Sequence, residues 1–117
     1  MLVENMHSLM YIDVTINGQA RRALIDSGAT HDVITEEEAE KLGIEHVNVN
    51  TSAKGFDNSS VGITKVSKEA VFKVGDKMYS TEMLILKRAS QPIIFGISFL
   101  SVMNPSIDWR ARKVEWN

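Results

Sequence analysis

Residues 9–30 read LMYIDVTINGQARRALIDSGAT. Met10, Ile12, Val14 and Ile16 alternate with Tyr11, Asp13 and Thr15, the period of a strand with one buried face. Asn17-Gly18 follows, a pair able to take the left-handed angles of a two-residue hairpin turn. QARRALI (19–25) then returns as a second strand. Its apolar end, Ala23-Leu24-Ile25, runs straight into Asp26-Ser27-Gly28-Ala29-Thr30. Such an order presents a carboxylate at the end of a buried strand, with Gly28 allowing backbone to approach another segment closely. An Asx-turn in which Asp26 only caps a loop accounts for the same string.

Further along, Thr35 and Glu38 have the spacing of a capping box at the start of TEEEAEKLG, and Gly43 suits the left-handed stop of a short helix. Residues 44–50 read as a strand, and residues 51–65, rich in Gly, Ser, Asn and Asp around Phe56, as a long polar hairpin. VSKEAVFKV (66–74), a turn at Gly75-Asp76 and KMYSTEMLIL (77–86) make another hairpin. Pro92 to Phe95 reads as a short buried strand. Gly96 to Met103 reads as a second short helix stopped by Asn104-Pro105. The tail, SIDWRARKVEWN, reads as two short strands around Arg110-Ala111-Arg112. An apolar triplet ending near Gly, then a short helix, thus occurs twice, first at Ala23-Leu24-Ile25 and again at Ile93-Ile94-Phe95-Gly96. Two copies suggest a duplicated β unit rather than a solenoid.

The 117 residues, 44% hydrophobic and 24% charged, fit one globular domain. Thirteen basic against fifteen acidic residues leave a net charge of −2, without the basic footprint of a nucleic-acid binder. The chain has no Cys, which removes disulfides, thiolate metal sites and cysteine nucleophiles. No apolar run approaches the ~20 residues that span a bilayer. The N-terminus lacks a basic n-region and carries Glu4, so it does not read as a signal peptide. His7, His31 and His46 have no ligand spacing and read as surface or loop residues rather than a metal site. The Glu36–Glu40 run reads as a solvated helix face, and Trp109 and Trp116 as packing in the terminal sheet. Arg21, Arg22, Arg110, Arg112 and Lys113 read as strand and turn charges. Ser27 has no neighbouring His to make it a nucleophile.

Taken together, LMYIDVTINGQARRALIDSGATHDVITEEEAEKLGI, AKGFDNSSVG, IIFGISFL and NPSIDWRARKVEW resemble, in order, the retropepsin-like aspartic proteases. Within that family the chain is most similar to proteases of gypsy-type LTR retrotransposons. The resemblance implies an all-β, retropepsin-like closed β-barrel or sandwich with one or two short helices, residues 1–117 forming one protomer of a homodimer. It implies an aspartic endopeptidase that cleaves extended polypeptide segments, with a retroelement polyprotein as the expected substrate, without cofactor or metal. Such enzymes hold two carboxylates on one water, sharing one proton. Only one Asp-Ser-Gly is present, so the second carboxylate is expected from another copy.

Carried over by residue, Asp26 is the catalytic carboxylate and Ser27 the hydroxyl that bonds across the dyad to the partner's backbone. Gly28 and Ala29 line the substrate channel, and Thr30 fits the pattern beside them. His31 and Asp32 are assigned substrate contacts. Gly55 to Gly62 corresponds to the flap, with its tip bracketed by Phe56 to Ser60, so Gly55, Phe56, Asp57, Asn58 and Ser59 join the substrate-binding set. Gly96 is the glycine packed under the active-site loop. The expected partners are a second copy and a polypeptide substrate, with no nucleic acid and no membrane; the expected setting is cytoplasmic, including virus-like particles. The terminal residues 107–109 and 114–116 either interleave with a second copy or fold as a hairpin within one subunit. Two other readings share the motif: a cellular protease of the ubiquitin-receptor type, and a retroelement-derived dimerisation or peptide-binding domain without catalysis.

Overall fold

Asn17 and Gly18 both take positive φ, 51° and 77°, in the computed structural model, which describes residues 9–51 and 62–116. This turn pairs β1 (Met10–Ile16) with β2 (Gln19–Ile25), from Ile16 beside Gln19 to Met10 beside Ile25. The alternation of β1 is realised, with Met10, Ile12, Val14 and Ile16 all buried. At the end of β2 the alternation stops and Ala23, Leu24 and Ile25 are buried in succession. The cause is β9 (Ile93–Phe95), which runs parallel along the other edge of β2, Leu24 beside Ile94 and Ile25 beside Phe95. The two apolar triplets of the sequence are therefore adjacent strands.

Between the Asp26 loop and the first helix lies β3 (Val33–Thr35), a strand the sequence pattern does not announce. It sits antiparallel to β9 and parallel to β8 (Leu84–Leu86). Helix α1 (Glu36–Leu42) begins where Thr35 accepts a bond from the Glu38 N–H and ends at Gly43, φ 72°. The capping box closes on one side only. The Glu38 carboxylate turns away to accept a 2.7 Å bond from Arg21, while the Thr35 N–H donates to the Pro92 carbonyl. The expectation of a uniformly solvated acidic face is thereby corrected: Glu38 is buried under Arg21, and Glu36 pairs with Lys65 at 3.0 Å. A carboxylate is accommodated there because the Arg21 guanidinium donates to it through Nε.

β4 (His46–Thr51) and β5 (Gly62–Ser67) form an antiparallel pair that reaches Thr51 beside Gly62. The two long strands expected over 66–74 and 77–86 are each broken. β5 stops at Ser67 before β6 (Ala70–Val74), and β7 (Lys77–Thr81) stops before β8. The breaks face each other: Ser67 N–H donates to the Met83 carbonyl, and Met83 N–H donates to the Ser67 hydroxyl, both at 2.8 Å. These bonds satisfy backbone groups that no ladder reaches. They let the chain pass from the β6–β7 hairpin at one end of the sheet to β8 near the other. The result is a curled, mostly β structure with strand order β4-β5-β8-β3-β9-β2-β1-β6-β7.

Helix α2 (Ile97–Met103) follows β9, and β10 (Ser106–Asp108) pairs with β11 (Lys113–Glu115) as a hairpin within the chain. Phe95 is the centre of the core. It stacks on Phe99 at 4.4 Å and meets Phe72 and Tyr79 edge-on at 5.1 and 5.5 Å. Trp116 adds an edge contact to Phe99, whereas Trp109 is exposed, contrary to the expected packing of both. Trp109 falls in the β10–β11 turn, beyond reach of a second layer. Among the described residues, no helix is long and apolar enough to cross a membrane.

Candidate active site

The parallel β2–β9 pair ends in two segments that are bonded to each other through backbone. The Asp26 N–H donates to the Phe95 carbonyl at 2.9 Å, and the Ile97 N–H donates to the Ala29 carbonyl at 2.9 Å. Within the loop, Ala29 N–H returns to the Asp26 carbonyl at 3.0 Å, closing a tight turn. The Asp26 side chain is exposed at the end of a buried strand. Its Oδ1 accepts the Gly28 N–H at 2.9 Å, which leaves the other oxygen available. One oxygen anchored and the other open is an arrangement that aims a carboxylate while keeping it able to take or give a proton.

Gly96 is the contact point beneath this loop. A Cβ there would lie 2.5 Å from the Ala29 carbonyl oxygen and 2.8 Å from that of His31. Only a residue without a side chain permits this approach of two backbones.

Asp32 departs from its expected role. It is 2% exposed, so it faces the interior rather than a substrate. Its Oδ1 accepts the Gly96 N–H at 2.8 Å, and its Oδ2 accepts the hydroxyls of Thr81, at 2.7 Å, and Tyr79. Its own carbonyl accepts the Leu84 N–H at 2.9 Å. Burial first, and then the bond to Asp32, push the Tyr79 phenol well above its ordinary value, so it remains a donor. Sequence reading missed this cluster because Tyr79, Thr81 and Gly96 are all remote from Asp32 along the chain. The one signal is negative: Asp32 stands just before the apolar pair Val33-Ile34 and has no turn-forming neighbour to carry it outward.

The structure brings Asp26, Ser27, Gly28, Ala29, Thr30, His31 and Gly96 into one region. Asp26, Ser27, Gly28, Thr30 and His31 are exposed, and Ala29 is half-buried. The His31 ring nitrogen Nδ1 lies 2.8 Å from the Thr30 hydroxyl. Gly55, Phe56, Asp57, Asn58 and Ser59 lie outside the described residues. Among the described residues, no three His, Asp or Glu side chains gather in a set that could hold a metal ion.

This curled sheet with its two joined loops is the fold of the retroviral proteases. It superposes on the retroviral protease-like domain of Ddi1 from Leishmania major with a TM-score of 0.68 at 15% identity, covering 93% of this chain and 87% of that one. It superposes on EIAV protease, in complex with the inhibitor HBY-793, with a TM-score of 0.66 at 19% identity, covering 89% and 96%. Residues 22–117 match the PEG10/RTL1 protease domain, and the chain belongs to that family of retropepsin-like aspartic proteases. Full-length relatives include the Arabidopsis thaliana protein DNA-DAMAGE INDUCIBLE 1, 27% identical over 86% of this chain and 24% of its own length. DNA damage-inducible protein 1 of Yarrowia lipolytica is 23% identical over 92% of this chain and 27% of its own. The chain thus spans about a quarter of the length of the curated relatives it matches.

Proposed function

We propose that this chain is an aspartic endopeptidase that works as a two-fold homodimer. The carrying observation is Asp26: an exposed carboxylate at the end of a buried strand, one oxygen tied to the Gly28 N–H, on a loop bonded to Phe95 and Ile97. With one such loop per chain, a dyad needs two copies. Two carboxylates brought together share a proton, since ionising both places like charges side by side. The ionised member takes a proton from water as the water attacks the scissile carbonyl. The protonated member donates to the carbonyl oxygen, and a proton then passes to the leaving amine.

Ser27 bonds across to the partner's backbone, Gly28 and Ala29 line the channel, and Thr30 and His31 border it. The substrate is an extended peptide held as an added strand. The substrate read from the sequence resemblance is a retroelement polyprotein, and membership of the PEG10/RTL1 protease family supports the protease class of that reading. The curated relatives, named DNA damage-inducible protein 1, support the alternative of a cellular retropepsin-like protease of the ubiquitin-receptor type.

Incubation with a mixed peptide library, with and without a statine-type inhibitor, tests the activity. The expected result is cleavage that the inhibitor stops and that Asp26→Asn abolishes while the variant remains folded. Absence of inhibitor-sensitive cleavage by a folded dimer would leave a peptide-binding or dimerisation domain.

A further inference from the structure

Three consecutive residues at the end of β9 each hold the Asp26 loop at one point. Phe95 accepts the Asp26 N–H, Ile97 donates to the Ala29 carbonyl, and Gly96 donates to the Asp32 side chain. The first two bonds are between backbones. The third runs through a carboxylate that is 2% exposed.

Burying a carboxylate is unfavourable unless donors replace its water. Here three neutral donors do so: two hydroxyls from β7 on Oδ2 and one main-chain N–H on Oδ1. A fold that needed only a filled volume at this position would be served as well by an aliphatic side chain. What the carboxylate adds is a fixed relation between β7 and Gly96. Gly96 has no slack against the loop, since its backbone is pressed on the carbonyls of Ala29 and His31. A shift at Gly96 is therefore passed to the turn that carries Asp26.

We infer that Asp32 is a positioning residue for peptide cleavage: anchored by Tyr79 and Thr81, it holds Gly96 and thereby fixes the Asp26 loop in its working place. The inference rests on the endopeptidase reading. It concerns placement, so its effect belongs to kcat. A misplacement of about 1 Å can reduce a rate ~100-fold, whereas substrate contacts made away from that loop keep their ground-state binding.

The test measures kcat and KM on a peptide cleaved by the parent enzyme, with competent dimers counted by titration with a tight statine-type inhibitor. Asp32→Ala is expected to lower kcat per titrated dimer roughly 10- to 100-fold, with KM within about twofold. Asp32→Asn keeps an oxygen for the Gly96 N–H, and its amide can donate to the two hydroxyls. It is expected to recover kcat to within about threefold of the parent. The double variant Tyr79→Phe, Thr81→Val releases the anchor but keeps the Gly96 bond, and is expected to lose roughly fivefold or more in kcat. If Asp32→Ala does not fold, this double variant decides.

Unchanged kcat per titrated dimer in the deciding variant would overturn the inference, as would a loss confined to KM. Equal losses in Asp32→Ala and Asp32→Asn would also overturn it, since they would assign the effect to charge rather than placement. A parent without inhibitor-sensitive cleavage would overturn the endopeptidase reading and this inference together; an active parent with indifferent variants would overturn this inference alone.

Discussion

Ile97 donates its main-chain N–H to the carbonyl oxygen of Ala29 at 2.9 Å, so the segment after β9 and the loop after β2 meet with no side chain between them. The contact extends the parallel β2–β9 pairing past the ends of both strands. It also explains why the residue between Phe95 and Ile97 is glycine.

Gly96→Ala would place a methyl 2.5 Å from the Ala29 oxygen, a distance that backbone cannot absorb without moving. The expected outcome is a loss of about 1–3 kcal/mol of stability, together with loss of any activity that depends on the Asp26 loop. Denaturant unfolding of the variant beside the parent measures the first effect. Equal midpoints would show that the loop yields easily.

Arg21 and Glu38 join β2 to α1 through a partly buried pair, with side-chain exposures of 28% and 10%. Removing the guanidinium leaves the less exposed partner without its main donor. Arg21→Ala is expected to destabilise the protein by about 1–3 kcal/mol. A double-mutant cycle with Glu38→Gln isolates the pair from the packing of the Arg21 stem. A coupling indistinguishable from zero would assign the loss to packing alone.

Tyr79 carries a pH dependence of definite sign. Its phenol is held above the ordinary value of 10.0, so the folded state keeps the proton where the unfolded chain gives it up. The associated stability is fully present below pH 10.0 and declines as pH rises beyond that value toward the raised folded value. Denaturation followed between about pH 8 and 11 is expected to show an alkaline decline that Tyr79→Phe reduces. An identical decline in the variant would place the cause elsewhere.

A dimer whose two halves complete one site loses activity when it dissociates. Specific activity is therefore expected to fall on dilution, in step with the dimer fraction measured by sedimentation. Deleting residues 113–117 removes β11 and the Trp116 edge from Phe99, and is expected to lower thermal stability as well. An active monomer would contradict the first expectation, and unchanged melting of the truncated chain the second.

The first hairpin was legible because its signals are local. Met10 to Ile16 alternate without interruption, and Asn17-Gly18 can adopt the turn angles that the strands require. Helix α1 was equally legible from Thr35 and Gly43. The likeness of the two apolar triplets was legible, but their adjacency was not, since pairing cannot be read from spacing. β3 was hidden because Val33-Ile34-Thr35 is too short to show a period. The broken strands at Ser67 and Met83 were hidden because each reads as continuous until its cross-chain partner is known. Asp26 could be picked out by its motif. Asp32 and Glu38 could not, since the fate of a carboxylate depends on donors that arrive from other strands.

The Asp32–Gly96 bond joins positions 64 apart in the chain. Closing so long a loop carries an entropic penalty that local hairpins avoid, and non-local pairing of this kind forms slowly. During synthesis, at ~5–20 residues per second, residues 26–32 leave the ribosome seconds before residues 95–97 exist. Throughout that interval β1 and β2 can pair, but the Asp26 loop has nothing to rest on. A nascent chain, or one halted before Phe95, therefore carries the motif without the seat. The carboxylate loop gains its seat only once Phe95, Gly96 and Ile97 have been made.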